Sequence, residues 1–475
     1  MLSGVLLALG QAPFNIPWLL FLGAPLIYLV LVGRSYKQAF WLGWFFGLGY
    51  FALTLHWIVE PFLVDVATTG WMAPFGLVFM AGGLALFWAL PAALFGGFRL
   101  TGVSGVLGFA ALFTVFELAR STILTGFPWV LLAYSWVDTP IIQGVSFVGS
   151  HGLGFLLLAL GMVLAVHPLK GALIAGLSLG GAWFAFEARL PNTVSMTDSV
   201  VRLIQPNATQ RLKWHPDHIA TFFDRQLELT ASEGNADLTV WPESAVPFVM
   251  GSRPDLTALI AEKGGSARVI LGATRQEDEE WYNSAVLLGK VGEVRAVYDK
   301  HHLTPFGEYL PFRSLFESIG LSGLAQNAGR FSSGSGPKLM NSERVPEFQV
   351  LICYEAIFPG EILRGEDRPD WLLQMTNDAW FGDFSGPYQH LALTRVRAVE
   401  FGLPVARAAN TGVSAMIDPF GRIIGEIELN THGHLDALLP EPLKETLFSK
   451  YGNLPLSGVL LFALGIAWLR RDVIS

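Results

Sequence analysis

The chain contains one cysteine, Cys353, in 475 residues. That excludes an internal disulfide, leaves the redox compartment unassigned, and means that any thiol chemistry rests on a single group. Charge is scarce as well. Only 15% of residues are Asp, Glu, Lys or Arg, where an ordinary soluble domain carries about 25%. Of the 31 basic and 39 acidic residues, ten lie between Met1 and Glu187. No stripe of Lys and Arg occurs, and the net charge is −8. Phosphate binding needs clustered positive charge, so nucleic acid is excluded as a partner. The apolar start from Leu2 to Leu9 has no basic residue ahead of it, so no cleavable signal peptide is expected.

What the chain has instead is apolar length: 52% of its residues are hydrophobic and the mean hydropathy is +0.45. A bilayer core of about 30 Å takes roughly 20 apolar helical residues. Candidate spans are Ile16 to Gly33, Ala39 to Val59, Trp71 to Phe98, Val103 to Leu118, Ile141 to Val166, Gly171 to Phe186 and Leu454 to Leu469. Leu2 to Gly10 is too short to span alone and counts as a partial first segment. Arg34 with Lys37, Arg99, Lys170, and Arg470 with Arg471 fall at alternate turns, which are expected on the cytoplasmic side. Arg120 and Arg189 fall on the other. The expected organisation is a transmembrane domain over 1–190 with about seven spans, an extracytoplasmic domain over 199–438, and a C-terminal transmembrane helix over 452–470.

The middle of the chain changes texture. Short β-rich runs recur ("VVRLIQ", "ADLTVW", "ARVILGA", "NSAVLLG", "EVRAVY", "FQVLIC", "DWLLQM", "PVARAA", "VSAMID", "IIGEIE"). Helical stretches such as His215 to Ser232, Leu256 to Lys263 and Tyr388 to Phe401 lie between them. This alternation predicts an α/β layered domain. Three strand ends carry reactive groups: Glu243 after Trp-Pro, Lys300 after "EVRAVYD", and Cys353 after "FQVLI". A thiol of ordinary pKa about 8.5 is mostly protonated at neutral pH and needs a base. Glu243 can take the proton, and Lys300 can lower the thiol's pKa and face a developing oxyanion. The trio suits acyl transfer through a thioester. Each also has an ordinary alternative: a packing cysteine, a turn carboxylate, a surface lysine. "HPDH" (215–218) and "HGH" (432–434) lack the companions a metal site needs, so neither a metal nor another cofactor is expected.

The stretches "WPESA" (241–245), "DKHHLTPFGEYLP" (299–311), "ICYEAIF" (352–358) and "TNDAWFG" (376–382) resemble, in this order, the nitrilase superfamily. With its membrane segments, nearly the whole chain is similar to the bacterial apolipoprotein N-acyltransferases. The resemblance implies a polytopic α-helical membrane domain plus an extracytoplasmic nitrilase-like αββα sandwich. It implies Glu243 as general base, Lys300 as oxyanion-stabilising group and Cys353 as nucleophile. Glu308, Tyr354, Glu355 and Trp214 are supporting residues, and Asn377, Trp380 and Phe381 could line an acyl pocket. The implied donor is a phospholipid, typically phosphatidylethanolamine, whose sn-1 chain passes to Cys353. The implied acceptor is the α-amino group of a diacylglyceryl-cysteine on an apolipoprotein. The implied location is the bacterial inner membrane, with the catalytic domain on the periplasmic side. A departure from the family is the amino terminus, where no basic residue precedes Arg34. The runners-up are a membrane-tethered amidase, with water as acceptor, and a transporter or lipid-binding scaffold with an inactive domain. Retention of all three reactive residues disfavours the scaffold, and sparse charge in the spans disfavours an ion-coupled transporter.

Overall fold

A computed structural model of the chain describes residues 1–312, 314, 329 and 331–470. It forms two compact units. One comprises Met1–Thr193, Phe381–Gly402 and Lys444–Ser475, and the other Val194–Trp380 and Leu403–Leu443.

The first unit is helical, because apolar runs without water must satisfy their backbone internally. Four of its helices are long and apolar enough to cross a membrane: Val66–Phe98, Gly102–Arg120, Pro140–Val166 and Pro168–Glu187. The segment expected as one span near 39–59 breaks instead. Tyr36–Thr54 and His56–Leu63 meet at a bend of 64°. Pro17–Leu31 and Leu454–Arg470 are shorter apolar helices, and Leu2–Ala8 is a helix of 7 residues. Gly43 and Gly47 let two helices touch. A Cβ on Gly43 would stand 2.5 Å from Ala92 Cβ, and one on Gly47 2.9 Å from Ala85 Cα, the small-residue contact that membrane helices favour. The unit also buries two charged residues, Glu117, expected inside a span, and Arg120, expected at a turn just beyond it. Glu117 and Arg120 pair at 2.6 Å, Trp88 Nε1 donates to Glu117 at 2.8 Å, and Arg120 donates to the carbonyls of Phe127 and Trp129.

The second unit holds twelve strands among the described residues: β1 (Met196–Gln205), β2 (Leu238–Val240), β3 (Arg268–Glu277), β4 (Glu280–Leu288), β5 (Val294–Asp299), β6 (Leu339–Met340), β7 (Phe348–Ile352), β8 (Trp371–Thr376), β9 (Val405–Ala409), β10 (Ser414–Ile417), β11 (Ile423–Ile427) and β12 (Gly433–Pro440). They form two six-stranded sheets, ordered β12-β1-β2-β3-β4-β5 and β11-β10-β9-β8-β7-β6. β7, β8 and β9 run parallel and are buried along their whole length, which is why they read as continuous apolar runs. One core joins the sheets: Val201, Leu203, Leu238, Val240 and Ile270 of the first meet Phe348, Val350, Trp371, Leu373 and Met416 of the second. The helices Pro216–Thr230 and Pro254–Gly264 cover the other face of the first sheet through Phe223, Leu227, Ile260, Val269 and Leu271. Glu243, Lys300 and Cys353 lie just beyond the ends of β2, β5 and β7, and the first two side chains reach one another across the sheet order, with Lys300 Nζ 3.8 Å from Glu243 Oε1.

Candidate active site

Each reactive side chain leaves its strand at an abrupt turn. Cys353 follows Ile352 with φ of +50°, the left-handed region that few side chains adopt, and opens the 3₁₀ turn Cys353–Ile357. Such backbone strain is common at functional sites. Glu243 precedes Ser244, which has φ of +51°. Its turn lies so close to β3 that a Cβ on Gly272 would stand 2.5 Å from Pro242 O and 2.6 Å from Glu243 Cα. Only glycine permits that approach. Lys300 follows β5 directly, and its main-chain N–H donates to Asn283 O at 2.8 Å.

The structure brings two carboxylates to one ammonium, at unequal distances. Lys300 Nζ stands 2.8 Å from Glu308 Oε2 and 3.8 Å from Glu243 Oε1. Asn283 Nδ2 donates to both carboxylates at 2.8 Å. Thr304 N donates to Glu308 at 2.7 Å and Asn377 N to Glu243 Oε2 at 2.9 Å. All these carriers are buried: Lys300 is 1% exposed, Glu243 7% and Glu308 9%. Burial pushes the Glu243 carboxyl above its ordinary value although Lys300 opposes it, with Glu308 adding to the rise. Glu308 goes the other way: burial would raise it, but Lys300 and Asn283 hold it below the usual range. Burial works against the Lys300 ammonium, and Glu308, Glu243 and Cys353 more than offset it, so the lysine stays charged. The Cys353 thiol is pushed up, first by burial and then by Glu243, with Lys300 and a hydrogen bond to Thr376 opposing.

Comparison with known proteins bears on what this arrangement belongs to. A family model described as apolipoprotein N-acyltransferase N-terminal domain matches residues 3–163, and one described as carbon-nitrogen hydrolase matches 178–443. A Rhodopseudomonas palustris protein named apolipoprotein N-acyltransferase is 37% identical, covering 99% of this chain and 94% of its own length. Proteins of the same name from Bradyrhizobium diazoefficiens and Caulobacter vibrioides are each 35% identical, over 99% and 98% of this chain and 94% and 92% of theirs. The chain belongs to the apolipoprotein N-acyltransferase family. It is therefore an acyltransferase built on a carbon-nitrogen hydrolase fold, and a bacterial membrane protein.

Glu355 is 0% exposed, and its carboxylate accepts from Tyr298 Oη at 2.8 Å, His301 N at 2.9 Å, His302 N at 3.2 Å and Ile352 N at 2.7 Å. It thus ties the Lys300 loop to the strand that ends at Cys353. Tyr354 packs edge-on against His302 and Phe358. Asn377, expected in an acyl pocket, has its side chain engaged by Gln210 and Asn410, while its main chain holds Glu243. Trp380 is 39% exposed, and Trp214, in the turn before the helix Pro216–Thr230, is 45% exposed. Phe381 lies in the first unit, against Trp57, Trp129 and His390.

Sequence reasoning missed Asn283, Thr376, Tyr298 and Lys213. The signal for Asn283 was present: a polar pair, Asn283-Ser284, in a strand otherwise apolar toward its end. Arg407, on β9, serves the fold. It is buried, donates to Gln374 Oε1 and Val413 O, and pairs with Asp378.

Proposed function

We propose that this acyltransferase moves a fatty acyl chain from the sn-1 position of a phospholipid, typically phosphatidylethanolamine, through a thioester on Cys353, to the α-amino group of a lipoprotein's diacylglyceryl-cysteine. The observation that carries the reading is the unequal sharing of one ammonium by two carboxylates beside one thiol. Glu308 is committed to Lys300 at 2.8 Å, which leaves Glu243, at 3.8 Å, able to exchange a proton. Burial raises both the Glu243 carboxyl and the Cys353 thiol. A stronger base thus faces a weaker acid, and the thiolate forms only as its proton passes to Glu243.

In the first half-reaction, Cys353 Sγ attacks the ester carbonyl while Glu243 takes the thiol proton. Lys300 faces the oxyanion, a contribution commonly worth about 3 kcal/mol. The tetrahedral intermediate expels the glycerol oxygen, which receives the proton from Glu243 and departs as lysophospholipid. In the second, the lipoprotein amine attacks the thioester carbonyl and gives a proton to Glu243. The Cys353 thiolate leaves, the amide forms, and the proton returns to sulfur.

Both substrates keep their chains in lipid, and bringing a chain into water costs about 0.8 kcal/mol per CH₂. An enzyme with its own membrane segments avoids that cost. The proposed division is a membrane domain over 1–190, a catalytic domain over 199–438 and a final span over 452–470. The catalytic domain faces the periplasm from the inner membrane, because Arg34, Lys37, Arg99, Lys170 and Arg470 mark alternate turns as cytoplasmic. The test is intact mass after incubation with phosphatidylethanolamine. A stable acyl adduct, absent from Cys353→Ala and discharged only by a diacylated lipopeptide with an unblocked amine, is expected. Steady release of fatty acid without the lipopeptide would establish the hydrolase instead.

A further inference from the structure

Lys213 takes no part in the steps above, yet it is buried against them. It lies in the turn before the helix Pro216–Thr230, with its main-chain N–H donating to Thr209 O at 2.9 Å. The residue is 5% exposed, where most lysines hold their ammonium in water. Its Nζ donates to the main-chain oxygen of Glu243 at 3.4 Å and sits 5.1 Å from the ring centre of Trp214. A cation over an indole face is stabilised electrostatically, which gives the half-exposed Trp214 a partner.

The charges around Glu243 come from several elements. Lys300 follows β5, Glu308 lies eight residues on in the same loop, and Cys353 follows β7 with Asp378 acting on the thiol from beyond β8. Asn283 of β4 and the Asn377 amide contribute dipoles. Glu243, Glu308 and Lys300 alone would leave one net negative charge buried where a thiolate must form. With Lys213 the four sum to zero. Uncompensated buried charge is costly, and a carboxyl in such a site rejects its own ionisation.

We propose that Lys213 is a positioning residue that keeps Glu243 ionised between proton transfers by supplying the second positive charge of a buried, electrically neutral quartet. This rests on Glu243 being the base. Burial draws the Lys213 ammonium down to about 8, with Glu243 pulling it back up, so its charge is present at and below neutral pH. That is the range in which Glu243 must resist protonation.

The test is the pH profile of Cys353 acylation by phosphatidylethanolamine, read by intact mass, for the parent, Lys213→Met, Lys213→Gln, Lys213→Arg and Glu243→Gln. The neutral variants should move the acid limb up by roughly one pH unit, so acylation below it falls about tenfold, while the rate above it stays near the parent's. Lys213→Arg should hold the limb in place. A uniform slowing at all pH values, or no change, would overturn the proposal. So would failure of both neutral variants to fold while Lys213→Arg folds, because Lys213 would then be a prop. Glu243→Gln separates the two readings: if it still acylates with the parent's profile, the base assignment itself is wrong.

Discussion

Replacing Glu355 with glutamine should uncouple the two strand ends that meet at the site. The carboxylate has two faces of acceptance. Oε1 receives Tyr298 Oη and the amides of His301 and His302, and Oε2 receives the Ile352 amide at 2.7 Å. Glutamine keeps one oxygen. Turned toward the three donors, it sets its own NH₂ against Ile352 N–H, so one hydrogen bond to a charged acceptor is lost, worth about 1.5–3 kcal/mol. The three bonds that remain become neutral ones and weaken by roughly half. The expected loss is about 4–7 kcal/mol, against about 5–15 kcal/mol that holds a typical domain folded.

The catalytic effect follows from what Glu355 joins. Lys300 and Cys353 would lose their common anchor, and a misplacement near 1 Å costs about a hundredfold in rate. Thermal unfolding of the detergent-solubilised protein and the rate of Cys353 acylation should therefore fall together. Tyr298→Phe, which removes one of the four bonds, should cost only about 1.5–3 kcal/mol. Parent-like melting and acylation in Glu355→Gln, or a larger loss in Tyr298→Phe, would refute the reasoning.

Three further outcomes are expected. Gly272→Ala should push β3 off the Glu243 turn, lowering acylation roughly tenfold or more with the fold retained; acylation within about twofold of the parent would contradict the contact. The His301–Glu361 pair sets a pH window. Burial disfavours the His301 cation, but Glu355 and Glu361 raise it to about 9, while His301 and His302 bring Glu361 down to about 2 against its own burial. His301's folded pKa lies above its unfolded value, so its contribution is complete below about pH 6.5 and lost as pH rises through 9. Glu361's is complete above about pH 4.5 and lost as pH falls through 2. Melting temperature should decline between pH 6.5 and 9.5, and His301→Asn should flatten that decline. Gln389→Leu should destabilise the first unit by about 3–6 kcal/mol, since its buried amide accepts from Trp57 and Trp129 and donates to Ala12 O and Thr54 O; unchanged melting would contradict this.

The fold was legible where one physical signal dominated. Ten strands could be read from apolar β-rich runs, most plainly β7, β8 and β9, which are buried throughout. β12 was not, since its residues alternate between half-buried and exposed until Leu439, and Asp436 in its middle reads as loop until its pairing with Arg202 at 2.6 Å is seen. β6 has two residues and no local signature. The reactive trio was legible because proline and strand ends mark where side chains leave a sheet. Asn283 and Glu355 needed tertiary contacts, for what they do is fixed by partners 40 and 57 residues away.

The helix Gly386–Phe401 shows why polarity misleads in this chain. It follows β8 and precedes β9, and its Gln, His, Thr, Arg and Glu residues suggest a water-facing surface, yet most of it is buried in the first unit. Each polar group has a use there. Gln389 donates to Thr54 O at 3.0 Å, where Tyr36–Thr54 breaks. Glu400 accepts from Ser150 N at 2.9 Å, just past Gly149, whose φ of 68° and ψ of 174° interrupt Val145–Val166. Arg397 stands 2.8 Å from Glu400 and donates to Tyr134 Oη at 3.2 Å. Interrupted helices are tolerated in a membrane only where protein satisfies the exposed backbone groups. A segment that the chain inserts between β8 and β9 supplies that satisfaction at both interruptions. The bent helices and the sheet that holds β8 and β9 are therefore joined through the covalent chain, and removing 381–402 should leave two broken membrane helices with unmet amides and carbonyls rather than an independent membrane domain.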